Sequence, residues 1–231
     1  MNVIDRRVSL TLAVLFTSAG AASADSVLFG FEEYAGVSGS PGTYSTLVYS
    51  KGGVTLEFTR MFGPANPSGT RFDIENLSPF NRPATWGNNA LSPFFNATQN
   101  DWFVASITAA PGAVTSIRME YGDYGGDTGN ARLVVLNGLY GTGAQLSSQS
   151  QAWNGNFNLG SAPGFFTYSG TGIQSFAFRG EEGVSGFPNS LYWDNFLIEF
   201  DSTIIPLPSA GLLAGAGLLV IPLSRRRARI R

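Results

Sequence analysis

Oxygen-bearing side chains gather in the glycine-rich segment Gly122–Asn130, which follows a run of strand-like residues. Asp123, Asp127 and Asn130 place two carboxylates and an amide in this segment, and calcium prefers such oxygen ligands. Their spacing does not match an EF-hand loop. The alternative is a hairpin turn in which Asp and Gly serve the backbone conformation. The segment therefore predicts either a site for a hard cation or a tight turn.

Aromatic rings are the second group of side chains that could bind a ligand, because an exposed ring buries the apolar CH groups of a sugar face. Trp86 and Trp153 lie among Gly and Asn residues, and Tyr124 lies in the glycine-rich segment. We predict that these three residues bind polysaccharide. The alternative for both tryptophans is that they cap the core. Trp102 and Trp193 fall within strand-like runs, so we expect them to pack inside the domain.

Hydrolysis of a glycan needs two carboxylates at a defined separation, one acting as acid and the other as base or nucleophile. Glu181 and Glu182 are adjacent, and neighbouring residues on a strand point to opposite faces. We expect both to be solvated charges in a loop. The chain contains no histidine and no cysteine, which excludes Ser-His-Asp and Cys-His triads and disulfides. A non-catalytic surface or matrix domain that binds polysaccharide or neighbouring proteins is favoured. The alternatives are a carboxylate-dependent glycan hydrolase and a purely structural matrix protein without a ligand.

The charge of the chain is unevenly distributed. Residues 25–203 hold 15 Asp or Glu against 7 Lys or Arg, a net charge of −8, whereas both ends are basic. An acidic surface repels phosphate backbones, so the composition disfavours nucleic acid as a partner. The aromatic content of 13% and the many glycines are typical of a β-rich extracellular domain.

Short alternating runs bounded by Gly, Pro, Asn and Ser predict one all-β sandwich domain over residues 25–203. The run Val54–Phe58 shows the pattern, with apolar residues at every second position, which gives one strand face to the core. Long loops are predicted at Gly63–Thr70 and Leu77–Asn89. The predicted strands are Val27–Phe31, Thr43–Tyr49, Val54–Phe58, Asp101–Thr108, Val114–Tyr121, Ala131–Leu136, Ala144–Gln149, Phe165–Tyr168, Ile173–Arg179 and Leu191–Phe200.

Residues 1–24 have the features of a signal peptide. A basic pair precedes the apolar run Val8–Phe16, and Ala22 and Ala24 form an A-x-A cleavage site of the kind that signal peptidase recognises. A membrane anchor is the alternative, but the run is too short to span a hydrocarbon core about 30 Å thick. We expect an exported protein whose mature chain begins at Asp25.

The C-terminal end combines an apolar segment with a basic stop. Residues 204–223 carry no charge, and five arginines follow them. The segment is long enough to cross the inner membrane when its proline-rich start lies at the interface. The positive-inside rule keeps the arginines in the cytoplasm and leaves the β domain on the far side. The alternative reading of this segment is a permanent C-terminal anchor.

This tail resembles the PEP-CTERM group of sorting signals in its VPLPA-type variant. Ile205 and Ser209 stand where the usual motif has valine and alanine. The resemblance implies that an exosortase-type membrane transpeptidase cleaves near the proline motif and delivers the domain to the cell surface or extracellular matrix. In that group such proteins accompany exopolysaccharide and biofilm. The residues that match are Pro206, Pro208, Arg225, Arg226 and Arg227.

Residues 26–200 resemble the jelly-roll, carbohydrate-module-like domains that often precede PEP-CTERM tails. The resemblance rests on Phe31-Glu32, on the glycine-rich segment and on the closing run Tyr192–Phe196. In similar jelly rolls a structural calcium ties the first strand to the last. The resemblance therefore implies a calcium ion that staples the domain rather than taking part in catalysis. Its predicted ligands are Glu32, Asp123, Asp127 and Asp194.

Overall fold

The computed structural model describes residues 23–34, 36, 43–62, 68–93, 101–123, 125, 129–181 and 191–202. Residues 1–22 of the predicted signal peptide, which covers residues 1–24, and the predicted sorting tail 204–231 lie outside these residues. Within them no helix is both long and apolar enough to cross a bilayer. The strands in chain order are β1 (Ser23–Phe29), β2 (Thr46–Lys51), β3 (Val54–Phe62), β4 (Asp73–Asn76), β5 (Asn89–Ser92), β6 (Asp101–Ala109), β7 (Ala113–Gly122), β8 (Gly129–Leu136), β9 (Gln145–Trp153), β10 (Gly164–Ser169), β11 (Ser175–Glu181) and β12 (Tyr192–Ser202).

These strands form two six-stranded sheets. Sheet I has the order β10-β7-β12-β5-β4, and β1 also pairs with β12. Sheet II has the order β2-β3-β6-β11-β8-β9. The ladders are antiparallel. The domain is thus an all-β, two-sheet sandwich, and the predicted fold class is confirmed for the residues that the structure describes.

The core between the sheets is largely aromatic because every second residue of each strand points inward. Phe58 of β3 and Phe178 of β11 face Phe196 and Trp193 of β12 from the opposite sheet. Their ring centroids lie 5.4 Å apart for Phe58 and Phe196 and 4.7 Å apart for Phe178 and Trp193. Edge-to-face and tilted rings at such distances add to the stabilisation from buried area. The alternation predicted for Val54–Phe58 is confirmed, since its apolar residues are buried and its polar ones half-buried.

Each of the ten predicted strands overlaps an observed strand, but β4 and β5 were not predicted. Both contain only four residues, and each begins with a polar residue, Asp73 in β4 and Asn89 in β5. Such short runs do not show an alternating pattern. The predicted loop Leu77–Asn89 therefore ends one residue too late, because Asn89 already pairs with Asn76 in the sheet.

The segment between β4 and β5 covers part of the outer face of sheet I. Its Trp86 packs on Phe157, with ring centroids 5.1 Å apart, and Phe157 lies against Gly122 of β7. A Cβ atom at Gly122 would sit 2.1 Å from the Phe157 ring, so this position requires glycine. Outside this layer, Leu28 of β1 and Phe165 of β10 are exposed on the outer face of sheet I.

Candidate functional site

Strand β12 changes neighbours partway along one edge, and this junction positions the candidate site. Phe196 pairs with Phe29 of β1, whereas Trp193 pairs with Leu91 of β5. Asp194 and Asn195 lie between these two pairings, next to a bulge in the β7–β12 ladder. Asn195 has a φ of +51°, a conformation that asparagine adopts more readily than most residues. Bulges of this kind redirect side chains near functional sites.

A groove opens at this junction, and we call it the Asp194 groove. Its volume is about 520 Å³. The chain supplies its walls from β1 and the turn that follows, from the β2–β3 hairpin, from the segment before β5 and from β12. Its lining includes Gly30, Glu32, Glu33, Lys51, Thr85 and Asp194.

Asp194 is the most unusual residue of the groove because its side chain is only 1% exposed. Burial raises the pKa of this carboxyl to about 8, the backbone amide of Asn195 opposes the rise, and the charges of Glu32 and Glu120 add to it. Its Oδ1 atom has no hydrogen-bond partner. An acceptor that is buried without a partner is rare and costly in a folded protein. Asp194 is therefore a candidate for contact with a ligand.

The groove also contains Glu33, a carboxyl whose pKa is shifted in the other direction. Glu33 lies within hydrogen-bond distance of the Tyr49 hydroxyl and pairs with Lys51 at 3.3 Å. The Tyr49 hydrogen bond and the Lys51 ammonium lower the pKa of Glu33. Burial, together with the contact to Glu33, raises the pKa of Tyr49. The groove thus contains one carboxyl that favours its protonated form and one that favours its charged form.

Glu120 of β7 links the groove to the open face of sheet I. Its Oε2 atom accepts hydrogen bonds from Trp86 Nε1 and Asn195 Nδ2, both at 2.9 Å. Its Oε1 atom pairs with Arg118 Nη2 at 3.0 Å. Asn195 also donates to the Thr85 carbonyl at 3.0 Å. This network fixes the side chain of Asn195 at the rim, where it can bind a ligand only through its oxygen.

Four strands of sheet I present an open surface beside this network, which we call the Phe165 platform. Its residues Phe165, Arg118, Leu197 and Leu28 come from β10, β7, β12 and β1, and the register places Arg118 beside Leu197 and Leu197 beside Leu28. The Phe165 side chain is 51% exposed, and the Arg118 guanidinium lies 5.0 Å from its ring centroid. A second groove of about 460 Å³ runs over the platform and shares Leu28, Thr85 and Asn195 with the Asp194 groove.

The expectation that Trp86 and Trp153 have exposed rings is wrong. Their side chains are 4% and 7% exposed, and both rings pack on Phe157. Neither presents a face on which a sugar could stack, because Trp86 lies in the segment that covers sheet I and Trp153 is the buried last residue of β9. Tyr124 lies outside the described residues. The packing predicted for Trp102 and Trp193 is confirmed, since both are buried.

The four predicted calcium ligands do not form one cluster among the residues that the structure describes. Glu32 and Asp194 line the same groove, whereas Asp123 lies close enough to Glu75 to raise its pKa. Asp127 is outside the described residues. Within the described part of the chain no three acidic side chains converge in a way that could hold a metal.

Glu181 is not a solvated loop charge, because it is the last residue of β11. Its carboxylate pairs with Arg132 at 3.1 Å and with Arg179 at 2.5 Å. Both guanidinium groups also lie near the ring of Trp102, at 5.6 Å and 4.3 Å from its centroid. This set of contacts holds the outer face of sheet II together. Glu182 lies outside the described residues.

Sequence reasoning missed the residues of the Phe165 platform, although the sequence contains a signal for one of them. Phe165 and Phe166 are consecutive in a strand, so one of the two rings must face outward. Phe166 is buried, and Phe165 is the exposed ring. No comparable signal identifies Arg118 or Leu28, because their position depends on which strands become neighbours.

The chain matches no protein-family profile and no curated protein. Two solved structures show distant similarity. One is the Arthrobacter globiformis T6 isomalto-dextranase in complex with panose, with 13% identity and a TM-score of 0.35, covering 61% of this chain and 23% of the dextranase. The other is a variant of the family 29 carbohydrate-binding module CBM29-2, with 10% identity and a TM-score of 0.27, covering 81% of this chain and 99% of the module. At such scores neither supports an argument, so the assignment as a two-sheet β-sandwich rests on the strand pairing described above.

Proposed function

We propose that this protein is an exported, non-catalytic domain that binds polysaccharide across the open face of sheet I. The observation that carries the proposal is the exposed Phe165 ring beside a groove with polar side chains along its wall. An exposed aromatic ring covers the apolar face of a sugar, and the groups beside it orient the ligand. Arg118 donates hydrogen bonds, and Thr85 and Asn195 supply oxygen atoms.

The shape of the open face favours a chain-like ligand. The two grooves share three residues, and their lining residues come from several strands. A linear polymer can therefore occupy both. A single small molecule would need only one of them. The proposal therefore concerns an extended glycan rather than a monosaccharide.

Phe165→Ala should weaken polysaccharide binding about 5–10-fold, because a ring contact of this kind contributes roughly 1–1.5 kcal/mol. Affinity electrophoresis of the full-length protein against a panel of neutral and charged polysaccharides measures the effect. Phe62→Ala is the matched control, since Phe62 is also a half-exposed aromatic residue at 46% but belongs to sheet II. Equal losses in both variants would contradict the assignment of the site to sheet I.

A glycan hydrolase remains the second candidate, because Asp194 and Glu33 line one groove and their pKa values are shifted in opposite directions. Glycosidases use a protonated acid together with a second, charged carboxylate. Release of reducing sugar that disappears in both Asp194→Asn and Glu33→Gln would replace the binding proposal by this one.

Export and sorting complete the proposal, and they rest on the sequence of the two ends. Signal peptidase removes residues 1–24, the inner membrane holds residues 204–223 transiently, and an exosortase-type enzyme transfers the domain to the surface or matrix. Intact-mass analysis of surface protein should give a chain that starts at Asp25 and lacks Arg225–Arg231. A mature chain that starts at Met1 would contradict export, and one that retains Arg231 would indicate a permanent anchor.

Structural calcium is proposed only for the pair Glu32 and Asp194, which share a groove. A calcium ion there would connect the turn after β1 to β12. Calcium takes six to eight oxygen ligands, so backbone carbonyls and water would have to complete the shell. Calcium is therefore one arm of the experiment described next.

A further inference from the structure

We propose that the Asp194 groove binds the ammonium group of an amino sugar, so that the preferred polysaccharide carries free amines. This inference rests on the proposed function and names the class of glycan that the open face of sheet I takes. Its basis is the charge of the groove, the unpartnered carboxylate oxygen inside it, and its continuity with the Phe165 platform.

Carboxyl side chains outnumber cationic side chains in the groove. Three carboxyl residues, Glu32, Glu33 and Asp194, line it together with one cationic residue, Lys51. Lys51 pairs with Glu33 at 3.3 Å. Glu32 accepts a hydrogen bond from the backbone amide of Asn89 at 2.8 Å, which provides no compensating charge. The remaining pair, Glu32 and Asp194, therefore favours a cationic ligand.

The unpartnered oxygen of Asp194 identifies where such a ligand binds. Oδ1 lies beside Gly30, and a Cβ atom on that residue would sit 3.5 Å from it. The missing side chain leaves room next to a carboxylate oxygen that is buried and accepts no hydrogen bond. An ammonium group brings three N–H donors and a positive charge, and a charge-assisted hydrogen bond is the strongest way to satisfy this acceptor.

The dimensions of the groove favour a sugar residue over a bare metal ion. A volume of about 520 Å³ is in the range of sites for small organic molecules. No three acidic groups among the described residues could enclose a metal. The shared residues Leu28, Thr85 and Asn195 connect the groove to the Phe165 platform. A glycan chain that lies over the platform can therefore extend towards Asp194.

The test compares two oligosaccharides that differ only in charge, a glucosamine oligomer with free amines and its fully N-acetylated counterpart. Isothermal titration of the full-length protein near pH 6 should show the free-amine oligomer binding at least tenfold more tightly. Asp194→Asn and Glu32→Gln should each reduce this preference to threefold or less. Glu199→Gln, on the outer face of the same sheet and outside the groove, should leave it unchanged. Displacement of the free-amine oligomer by millimolar calcium would also support a cation site at Asp194.

Three results would overturn the inference. Equal affinity for both oligomers would refute the amine preference and leave the proposed polysaccharide binding intact. Binding of neither oligomer, nor of any polysaccharide in the panel, would refute the proposed function and this inference with it. An increase in melting temperature with calcium that requires Asp194, without any amine preference, would assign the groove to a metal ion.

Discussion

Asp101→Asn should lower the free energy of unfolding by about 3–5 kcal/mol, because it leaves the cation of Arg60 buried without its counter-charge. Arg60 and Asp101 lie between the sheets, 3.4 Å apart, and both side chains are fully buried. The Arg60 guanidinium also lies 4.4 Å from the centroid of the Phe103 ring. Burial lowers the pKa of Arg60 to about 10, and Asp101 opposes this shift. Arg60 therefore stays charged at neutral pH and depends on its partner.

The double variant Arg60→Met with Asp101→Leu should recover most of this loss, because well-packed apolar residues can replace a buried ion pair. Urea unfolding followed by fluorescence measures the free energy of unfolding of all variants. In thermal unfolding, Asp101→Asn alone should melt roughly 6–20 °C below the parent. Lys51→Met is the matched control. Its pair with Glu33 has nearly the same separation, 3.3 Å, but is about half exposed, so its loss should cost less than about 1 kcal/mol. Similar losses in Asp101→Asn and Lys51→Met would show that the buried Arg60–Asp101 pair contributes no more to stability than the exposed Lys51–Glu33 pair.

The sequence predicted the strands well wherever the core imposes an alternating pattern. The burial of residues such as Leu56 and Phe58 can be predicted from the local sequence, because side chains at every second position of a strand face the same way. The pattern fails for β4 and β5, where neighbouring strands rather than local residues decide the pairing. The prediction of an exposed Trp86 ring was wrong for a similar reason, since the burial of Trp86 depends on Phe157, which is distant in the sequence.

The candidate site was partly predictable. Glu32 and Asp194 were predicted together through a resemblance, and the structure places them in one groove. Asp123 was included because it occurs in a segment rich in Gly and Asp, and its actual neighbour Glu75 comes from β4, a strand that the sequence did not reveal. The Phe165 platform requires four strands in one order. Strand order is a long-range property, and composition and spacing do not encode it locally.

Asp194→Asn should make the protein more stable than the parent at pH 8 and leave its stability nearly unchanged at pH 4. The folded parent holds the proton of Asp194 up to a pKa of about 8, whereas the ordinary pKa of an unburied Asp is 3.8. Between these values the folded state binds more protons than the unfolded state, so the free energy of unfolding decreases as the pH rises. The slope from this one group approaches about 1.4 kcal/mol per pH unit.

Urea unfolding at several pH values, in the presence of a chelator and without glycan, measures this dependence. The groups that face Asp194 are unchanged in the variant, namely Glu32, Glu120 and the backbone amides of Asn195 and Gly87. Glu75 also has a raised pKa because of burial, and Glu33 and Glu181 have lowered values, but all three titrate in both proteins. The difference between the two pH profiles therefore isolates Asp194. Parallel profiles would show that Asp194 ionises normally in the fold. A difference that grows from pH 4 to pH 8 would show that the groove holds this carboxyl protonated at neutral pH.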